Sequence, residues 1–533
     1  MPSEFEDWSM RAHLVKIAVA MLVFAALRPA AAAPPASASR LAWASPPAAA
    51  QPQVFGPADP VIKDARHFDE KRPMAAELRT DVPDGFTVAA VGDLILSRPL
   101  SQYAGRLPAF KAVLDLLHAD DVLYGNLETT IFDARSFSGA PYSWDGDWTN
   151  ASVPAVAQDL HAMGFGLLSR ANNHSLDWGL EGMRETSRLL DAAGLVHAGV
   201  GEDRGRARAP QFLETPKARI ALVSIASTFR PTTDALPADG AAPGRPGLSA
   251  LHVTRTVVLP EAAMRALVRA GCIIQDRYCK ETPGTLELFD VKYRRGAAFA
   301  YDYSMDPEDL AEILKNIRSA RQNADFVVVA IHSHECTAGC DDPDQPRGAA
   351  DFLKRLAHDA VDSGADLFVT TGNHNLGAIE LYRSPVRGVR PIFYGLGNFF
   401  WSDVQEPLPH DLFQGNRALL AAAWQHPERA TDYDLTAPLN RDSFAHDFTF
   451  RSVIAVSRFD GNELAELRLY PVEDGYGQRL TLSGIPRLVA DPGVSAAIFR
   501  QIADATARFG LPPLDMTQVQ NVAVLRPARA AAR

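Results

Sequence analysis

Apolar residues recur along the chain in short, nearly continuous runs, and this pattern predicts buried β-strands. Most of the runs lack regular polar alternation, which is typical of strands covered on both faces of a sheet. The runs lie at residues 86–96, 121–131, 165–174, 218–228, 325–335, 366–374, 390–400 and 450–459.

Stretches with the apolar spacing of amphipathic helices separate several of these strands. Several of the stretches end in Gly or Asn, as the C-termini of helices often do. The alternation of strands and helices predicts an α/β fold. The helical stretches lie at residues 107–120, 152–164, 180–194, 305–324 and 347–364.

The N-terminal region has the composition of an export signal. Arg11 and Lys16 precede an apolar run at 17–27, and small residues follow that run near Ala33. The run is shorter than the ~20 residues that a membrane-spanning helix needs. We therefore predict a cleaved signal peptide at 1–33 and an exported protein, periplasmic or extracellular, with an uncleaved membrane anchor as the alternative.

Changes in composition divide the rest of the chain. Residues 34–82 are rich in Ala, Pro and Ser and then become polar, which is typical of a linker. The main domain is predicted at 83–478, with an insertion at 229–304 that begins as a loop. Residues 479–533 contain one amphipathic helix, predicted at 493–510, and a basic Ala/Arg tail that we expect to be disordered.

Composition and charge narrow the range of partners. The 533-residue chain is 47% hydrophobic and 22% charged, as in globular proteins, and its net charge of −11 argues against binding nucleic acid. The four cysteines form two close pairs, Cys272 with Cys279 and Cys336 with Cys340. In an exported protein this pattern suggests disulfides that close two local loops, although the spacing does not fix the pairing.

Polar side chains with metal-binding chemistry follow five of the predicted strands. Functional sites of α/β folds lie at the carboxyl ends of the strands. Carboxylate, amide and imidazole groups together suit Mn, Fe or Zn. The residues at these ends are Asp93, Asn126, Glu128, Asn172, Asn173, His174, His332, His334, Glu335 and His374.

Most of these residues have a structural interpretation when taken alone. Asp93 could cap a following helix, Glu128 could end a strand that faces water, and His374 could be a hydrogen-bonded loop residue. Their joint occurrence at one edge of a sheet is what favours a site.

His332 and His334 carry a stronger signal. Residues i and i+2 of a strand face the same side, so two imidazole rings converge after an apolar run. This favours metal binding or catalysis. An alternative is a closed structural zinc site with Cys336 and Cys340, which export and oxidation of the cysteines disfavour.

The segment LLSRANNHSLDWG places amide, imidazole and carboxylate groups directly after an apolar run. An asparagine oxygen is a neutral metal ligand, and the neighbouring His174 can reach a substrate oxygen without binding the metal. We expect Asn172 to point away and secure the turn. Asp177 is expected to bond the backbone or His174, or else to cap the helix that begins near Leu180.

Together these motifs resemble the CapA-type poly-γ-glutamate capsule-biosynthesis proteins, in the calcineurin-like metallophosphoesterase superfamily. The matching pieces are VGDLILSR, NLETTI, RANNHSLDWG, AGLVHAGVG, VVVAIHSHE, GNHNLGAIELY and PIFYGLGNFFW. The resemblance implies a four-layer α/β/β/α sandwich with one or two divalent metal ions, and it implies that His174 is a general acid or a phosphate-contacting histidine. The metal-site residues that it implies are Asp93, Glu128, Asn173, His332 and His374.

One position departs from the family pattern. Relatives usually carry two histidines, in a Gly-His-x-Pro-His-like pattern, before Ile379 and Glu380, whereas this chain has Thr371 in the place of the first. Threonine is a poor ligand for a divalent transition metal. One of two ions would therefore bind weakly, unless His334 substitutes.

Two functions fit the sequence. The first is metal-dependent hydrolysis or transfer at a phosphoester or an amide of a cell-envelope polymer such as poly-γ-glutamate, with His174 and Asp177 in catalytic roles. The second is a non-catalytic binding or assembly component of a polymer synthesis or export system with a degenerate metal site. Tyr142, Trp144 and Trp148 could bind a ligand or only pack against the insertion.

Overall fold

The computed structural model describes residues 81–142, 149–274, 284–288, 290–337, 346, 348–402, 429 and 447–527. The predicted signal peptide at 1–33, most of the predicted linker at 34–82, and the residues Trp144 and Trp148 lie outside this part of the chain. Within it, no helix combines the length and the apolar character that crossing a membrane would require.

The first sheet contains ten strands in the order β23-β24-β21-β20-β1-β2-β5-β6, with β19 joined to β1 and β22 joined to β21. Strand β1 is buried along its whole length and pairs in parallel with β2 and β19 and antiparallel with β20. The strands are β1 (Phe86–Leu96), β2 (Val122–Leu127), β5 (Leu167–Ser169), β6 (Val196–Ala198), β19 (Asn398–Ser402), β20 (Arg451–Asp460), β21 (Glu463–Glu473), β22 (Arg487–Leu488), β23 (Met516–Val519) and β24 (Val522–Leu525).

The second sheet contains six strands in the order β17-β18-β16-β15-β9-β8. Its central strands β9, β15 and β16 run parallel, and β15 is buried at every residue. The strands are β8 (Gln211–Glu214), β9 (Arg219–Ala226), β15 (Phe326–His332), β16 (Leu367–Thr371), β17 (Ile379–Ser384) and β18 (Gly388–Phe393).

Apolar side chains join the two sheets and attach helices to them. Alternate residues of β1 and β15 pack together between the sheets, where the rings of Phe86 and Phe326 lie 5.4 Å apart. The other faces of the sheets pack against α1 and α2 and against α6 and α7, respectively. The helices are α1 (Pro108–Leu117), α2 (Ala155–Ala162), α3 (Gly179–Ala192), α4 (Arg204–Arg208), α5 (Glu261–Ile274), α6 (Pro307–Asn323), α7 (Phe352–Asp362) and α8 (Pro492–Arg508).

The α/β class predicted from the sequence is confirmed, but one predicted strand is in fact two. The apolar run at 390–400 contains the end of β18 in the second sheet and the start of β19 in the first. Between them, Gly395 and Gly397 have φ values of +148° and +79°, which glycine adopts without a steric cost. These two residues let the chain pass from one sheet to the other.

The insertion forms a small sheet in the order β12-β13-β11-β14. One face packs on α5 through Leu259, Met264, Leu286 and Leu288, so the insertion has a separate apolar cluster. Its strands are β11 (Val253–Leu259), β12 (Thr285–Leu288), β13 (Val291–Arg295) and β14 (Ala300–Met305). The other short strands among the described residues are β3 (Thr130–Ile131), β4 (Ala151–Ser152), β7 (Val200–Gly201) and β10 (Gly247–Leu248).

The C-terminal region differs from its prediction. The predicted amphipathic helix is present as α8. The prediction of a disordered tail is wrong for β23 and β24, because these strands extend the first sheet through β21. Ala523 and Leu525 are buried there. The main domain therefore continues past the predicted boundary at 478. Pairing with a distant strand stabilises this hairpin, and local composition does not reveal such pairing.

The close approach of Gly92 to Gly397 gives a test of the packing between β1 and β19. A Cβ atom at Gly92 would lie 1.8 Å from the carbonyl oxygen of Gly397. We expect Gly92→Ala to lower the free energy of unfolding by about 1–3 kcal/mol, because the backbone has to shift. Chemical denaturation measures the change, and Gly105→Ala is the control, since its Cβ would meet nothing within 4 Å. Equal stability of the two variants would contradict the packing described.

Candidate metal centre

The carboxyl ends of the parallel strands of both sheets meet at one place. Asp93 lies in β1 where the register against β2 and β19 shifts, and His332 ends β15. The Asp93 carboxylate accepts a hydrogen bond from the Asn126 amide at 2.9 Å and another from the Gly372 backbone N–H at 3.1 Å. Asp93 therefore connects the two sheets.

Glu128, His332 and His334 form the first group that can hold a metal ion. Glu128 is fully buried, and neither carboxylate oxygen has a hydrogen-bond partner among the described residues. His332 Nε2 lies 3.4 Å from Glu128 Oε1 and 3.0 Å from His334 Nε2. Imidazole nitrogens bind zinc at about 2.0–2.1 Å, so these two nitrogens are close enough to hold one ion together.

Asp93, Glu128 and His374 form a second group, which shares Glu128 with the first. His374 Nδ1 lies 3.4 Å from Asp93 Oδ2 and 2.9 Å from Asn398 Oδ1. The His374 backbone has a φ of +54°, in the left-handed region, and its ring packs edge to face with Trp401. Such a conformation is uncommon outside glycine and occurs often at functional sites.

Burial and charge set the protonation of this centre. Burial and the neighbouring Asp93 carboxylate raise the pKa of Glu128 well above its usual range. Burial lowers the pKa of His332 to about 3. Burial also acts to raise the pKa of Asp93, but the hydrogen bond and the charges of His374 and His332 hold it below its usual value. Without a cation, the two buried carboxylates oppose each other's ionisation.

The loop after β5 brings a histidine and a carboxylate to the edge of the centre. His174 Nδ1 lies 2.7 Å from Asp177 Oδ2, and His174 Nε2 lies 3.9 Å from Glu128 Oε1. Asp177 also accepts the N–H of Asn150, whereas α3 begins at Gly179 with no side-chain cap. Asp177 therefore fixes His174 and does not cap the helix.

The two asparagines of this loop differ in their contacts. Asn172 is buried, accepts the His174 N–H at 3.1 Å and donates to the Leu127 carbonyl at 2.8 Å, so it secures the turn as predicted. Asn173 is half-buried, and its Oδ1 atom is shielded from solvent with no hydrogen-bond partner among the described residues. That oxygen has the chemistry of a neutral metal ligand.

Thr371 stands at the end of β16, where the resemblance implied a histidine, and His334 lies nearby. Thr371 Oγ1 lies 3.3 Å from His332 Nδ1, so it contacts the ring instead of adding an imidazole. The His334 ring faces His332 and His374, with ring centroids 4.9 and 5.3 Å away. A Cβ atom at Gly372 would lie 2.8 to 2.9 Å from the rings of His332 and His334, so glycine leaves the space for both.

A disulfide removes the alternative of a closed zinc site. Cys336 is disulfide-bonded, so its sulfur is not available as a thiolate ligand. Cys279 and Cys340 lie outside the described residues, so the predicted pairing of the cysteines stays a prediction. His332 and His334 instead face the carboxylates of the centre.

Sequence reasoning missed two residues next to the site. Asn398, which contacts His374, stands in the LGN motif directly after an apolar run, and this signal could have found it. Arg230 has no local signal, because it lies in a loop of the insertion. Its guanidinium lies 3.3 Å from Asp177 Oδ1 and donates to the Tyr142 carbonyl at 2.6 Å.

Tyr142 contacts the insertion through its hydroxyl group, and its role in binding a ligand stays a prediction. Its ring is partly exposed, and its hydroxyl lies 2.6 Å from the Thr232 hydroxyl, at the start of the insertion.

Comparison with known proteins identifies the family. A family model described as bacterial capsule synthesis protein PGA_cap matches residues 87–402, which include every predicted site residue. The uncharacterized protein y4sH of Sinorhizobium fredii is 42% identical over 453 residues, which cover 83% of this chain and 94% of y4sH. The capsule biosynthesis protein CapA of Bacillus anthracis is 24% identical over 345 residues, covering 64% of this chain and 65% of CapA. A solved hypothetical protein from Thermus thermophilus covers 73% of this chain and 99% of its own at 13% identity, with a TM-score of 0.30. The match to the family model over more than half of the chain shows that the protein belongs to the PGA_cap family of bacterial capsule synthesis proteins.

Proposed function

We propose that this chain is a metal-dependent hydrolase of the phosphoesterase type that acts in the synthesis or export of a cell-envelope polymer. One observation carries the proposal. Two buried carboxylates and three histidine rings converge beside a hydrogen-bonded histidine–aspartate pair. Such a combination is typical of metal-assisted hydrolysis with a general acid.

The donor set fits divalent metal ions. Glu128 offers two buried oxygens without hydrogen-bond partners in the described chain, and Asn173 offers a third. Asp93, His332, His334 and His374 supply further oxygen and nitrogen ligands, a mixture that suits Mn, Fe or Zn. A bound ion would supply Lewis acidity and polarise the scissile oxygen of the substrate.

The chain supplies the proton donor. Asp177 accepts the Nδ1–H of His174 and fixes the orientation of the ring, so that Nε2 lies on the side of Glu128. In its protonated form, His174 donates the Nε2 proton to the leaving oxygen. The backbone N–H of Asn150 and the guanidinium of Arg230 hold Asp177 in place.

The family supports the biological setting of the proposal. The relative CapA is named for capsule biosynthesis, and we propose a poly-γ-glutamate-type or other envelope polymer as the substrate. The polymer or its synthesis and export machinery would be the partner. We also propose export to the periplasm or the cell exterior, because of the signal-like N-terminus, and proximity to the membrane if that signal is not cleaved.

Thr371 favours a second candidate function. With no imidazole at this position, the centre has one histidine fewer than the family pattern. The chain would then be a non-catalytic binding or assembly component with a degenerate metal site. The orientation of His334 favours the hydrolase, because it returns an imidazole to the centre.

Metal content tests the shared role of Glu128. We expect about two ions per chain in the native protein. Glu128→Gln should lose both, because both groups use this carboxylate, whereas His334→Ala should lose one. Elemental analysis of the purified full chain measures the stoichiometry. His118→Ala, which changes an exposed histidine that contacts the Ala162 carbonyl, should keep both ions.

The same measurement separates the two candidate functions. One ion or none in the native protein, with no hydrolysis of a chromogenic phosphodiester when Mn is supplied, would contradict the hydrolase and support the assembly role.

The histidine–aspartate pair predicts a loss of rate without a loss of metal. We expect Asp177→Asn to lower kcat for the phosphodiester by about 10²–10⁴-fold, since His174 loses the group that orients its ring and tautomer. Steady-state kinetics and elemental analysis measure the two effects. Asp191→Asn is the matched control, because Asp191 is an exposed carboxylate that contacts His197 at 3.3 Å. If kcat is retained in Asp177→Asn, catalysis does not depend on the orientation of His174 by Asp177.

A further inference from the structure

We infer that Glu335 is a positioning residue, which holds His334 in the orientation needed to bind metal. The inference rests on the proposed function, because the position of His334 matters to an ion only if the centre binds one. Glu335 itself is not among the residues that face the two carboxylates. Its effect is transmitted through hydroxyl groups and the backbone.

One oxygen of Glu335 accepts hydrogen bonds from three hydroxyl groups. Glu335 Oε2 accepts hydrogen bonds from Ser227 at 2.6 Å, Ser333 at 2.7 Å and Thr228 at 2.9 Å. Hydrogen bonds to a carboxylate are charge-assisted and about twice as strong as bonds between neutral groups. Ser227 and Thr228 directly follow β9, so the carboxylate attaches the loop after β15 to the neighbouring strand of the sheet.

Thr228 links Glu335 to the backbone of His334 through a second hydrogen bond. The His334 N–H donates to Thr228 Oγ1 at 2.7 Å. A hydroxyl has one proton to donate, and Thr228 gives that proton to Glu335 while its lone pair accepts from His334. The direction of these hydrogen bonds is therefore fixed. They lead from the His334 N–H through the Thr228 hydroxyl to the negatively charged carboxylate of Glu335.

His334 depends on these hydrogen bonds for its position because it lies beyond the end of β15. Residue His332 is the last of β15, and its carbonyl accepts the Ser227 N–H at 3.0 Å. The next residue, Ser333, donates its N–H to the Thr371 carbonyl at 2.9 Å. His334 is half-buried in the loop beyond these bonds, yet its Nε2 lies 3.0 Å from that of His332. Groups that orient metal ligands commonly change affinity by 10–100-fold when they are removed.

The test is a cobalt titration of the metal-free full chain, followed by visible absorption and checked by elemental analysis. Glu335→Ala should bind one Co²⁺ with unchanged affinity and a second about 10–100-fold more weakly. Glu335→Gln keeps an acceptor oxygen for the hydroxyls and should restore binding to within about threefold of the native protein. His334→Ala should reproduce the loss of the second ion and its absorption band.

Glu380→Ala is the matched control, because Glu380 is also a partly buried carboxylate with several partners, His358 and Tyr394, and lies outside the centre. It should bind both ions. If Glu335→Ala binds both ions like the native protein while His334→Ala loses one, the positioning role is overturned and the metal site stands. Equal weakening of both ions in Glu335→Ala would also overturn it. If His334→Ala matches the native protein, the assignment of His334 as a ligand fails, and this inference fails with it.

Discussion

The structure depends on two carboxylates that are buried together. Asp93 lies in β1, Glu128 directly follows the neighbouring strand β2, and both are almost fully shielded from water. Two like charges in such a place are unfavourable unless a cation or a proton compensates them. Burial lowers the pKa of His332 to about 3, so this ring carries no charge at neutral pH that could compensate them. Because histidine rings that can bind metal are grouped with both carboxylates, we infer that a divalent cation is the compensation at this centre.

The need to compensate the charges of these two carboxylates explains how the two sheets meet. The hydrogen bond from Gly372 to Asp93 and the tight contact of Gly92 with Gly397 bring the strand ends within reach of each other. The histidines of the second sheet then face the carboxylates of the first. The loop after β15 adds one more imidazole, and Glu335 attaches that loop to the end of β9. The scaffold thus brings candidate ligands from both sheets into each of the two groups.

Local patterns in the sequence predicted part of the fold and part of the candidate site. Apolar runs located the strands and helices, and polar residues after those runs located Asp93, Glu128, His332 and His374. The sequence did not predict features that arise from distant pairing: the division of the run at 390–400 between two sheets, the hairpin of β23 and β24, and the contact of Arg230 with Asp177. Hydrogen bonds between residues that are far apart in the chain leave no periodic signal.

The anomalous diffraction of crystals of the full chain grown with Mn²⁺ tests most directly whether a cation lies beside the two buried carboxylates. The account predicts a strong anomalous peak bounded by Glu128, His332 and His334, and a second bounded by Asp93, Glu128 and His374. Peaks at these positions would place the compensating charge beside the buried carboxylates. A fully occupied metal site elsewhere, with no peak beside Glu128, would contradict the account.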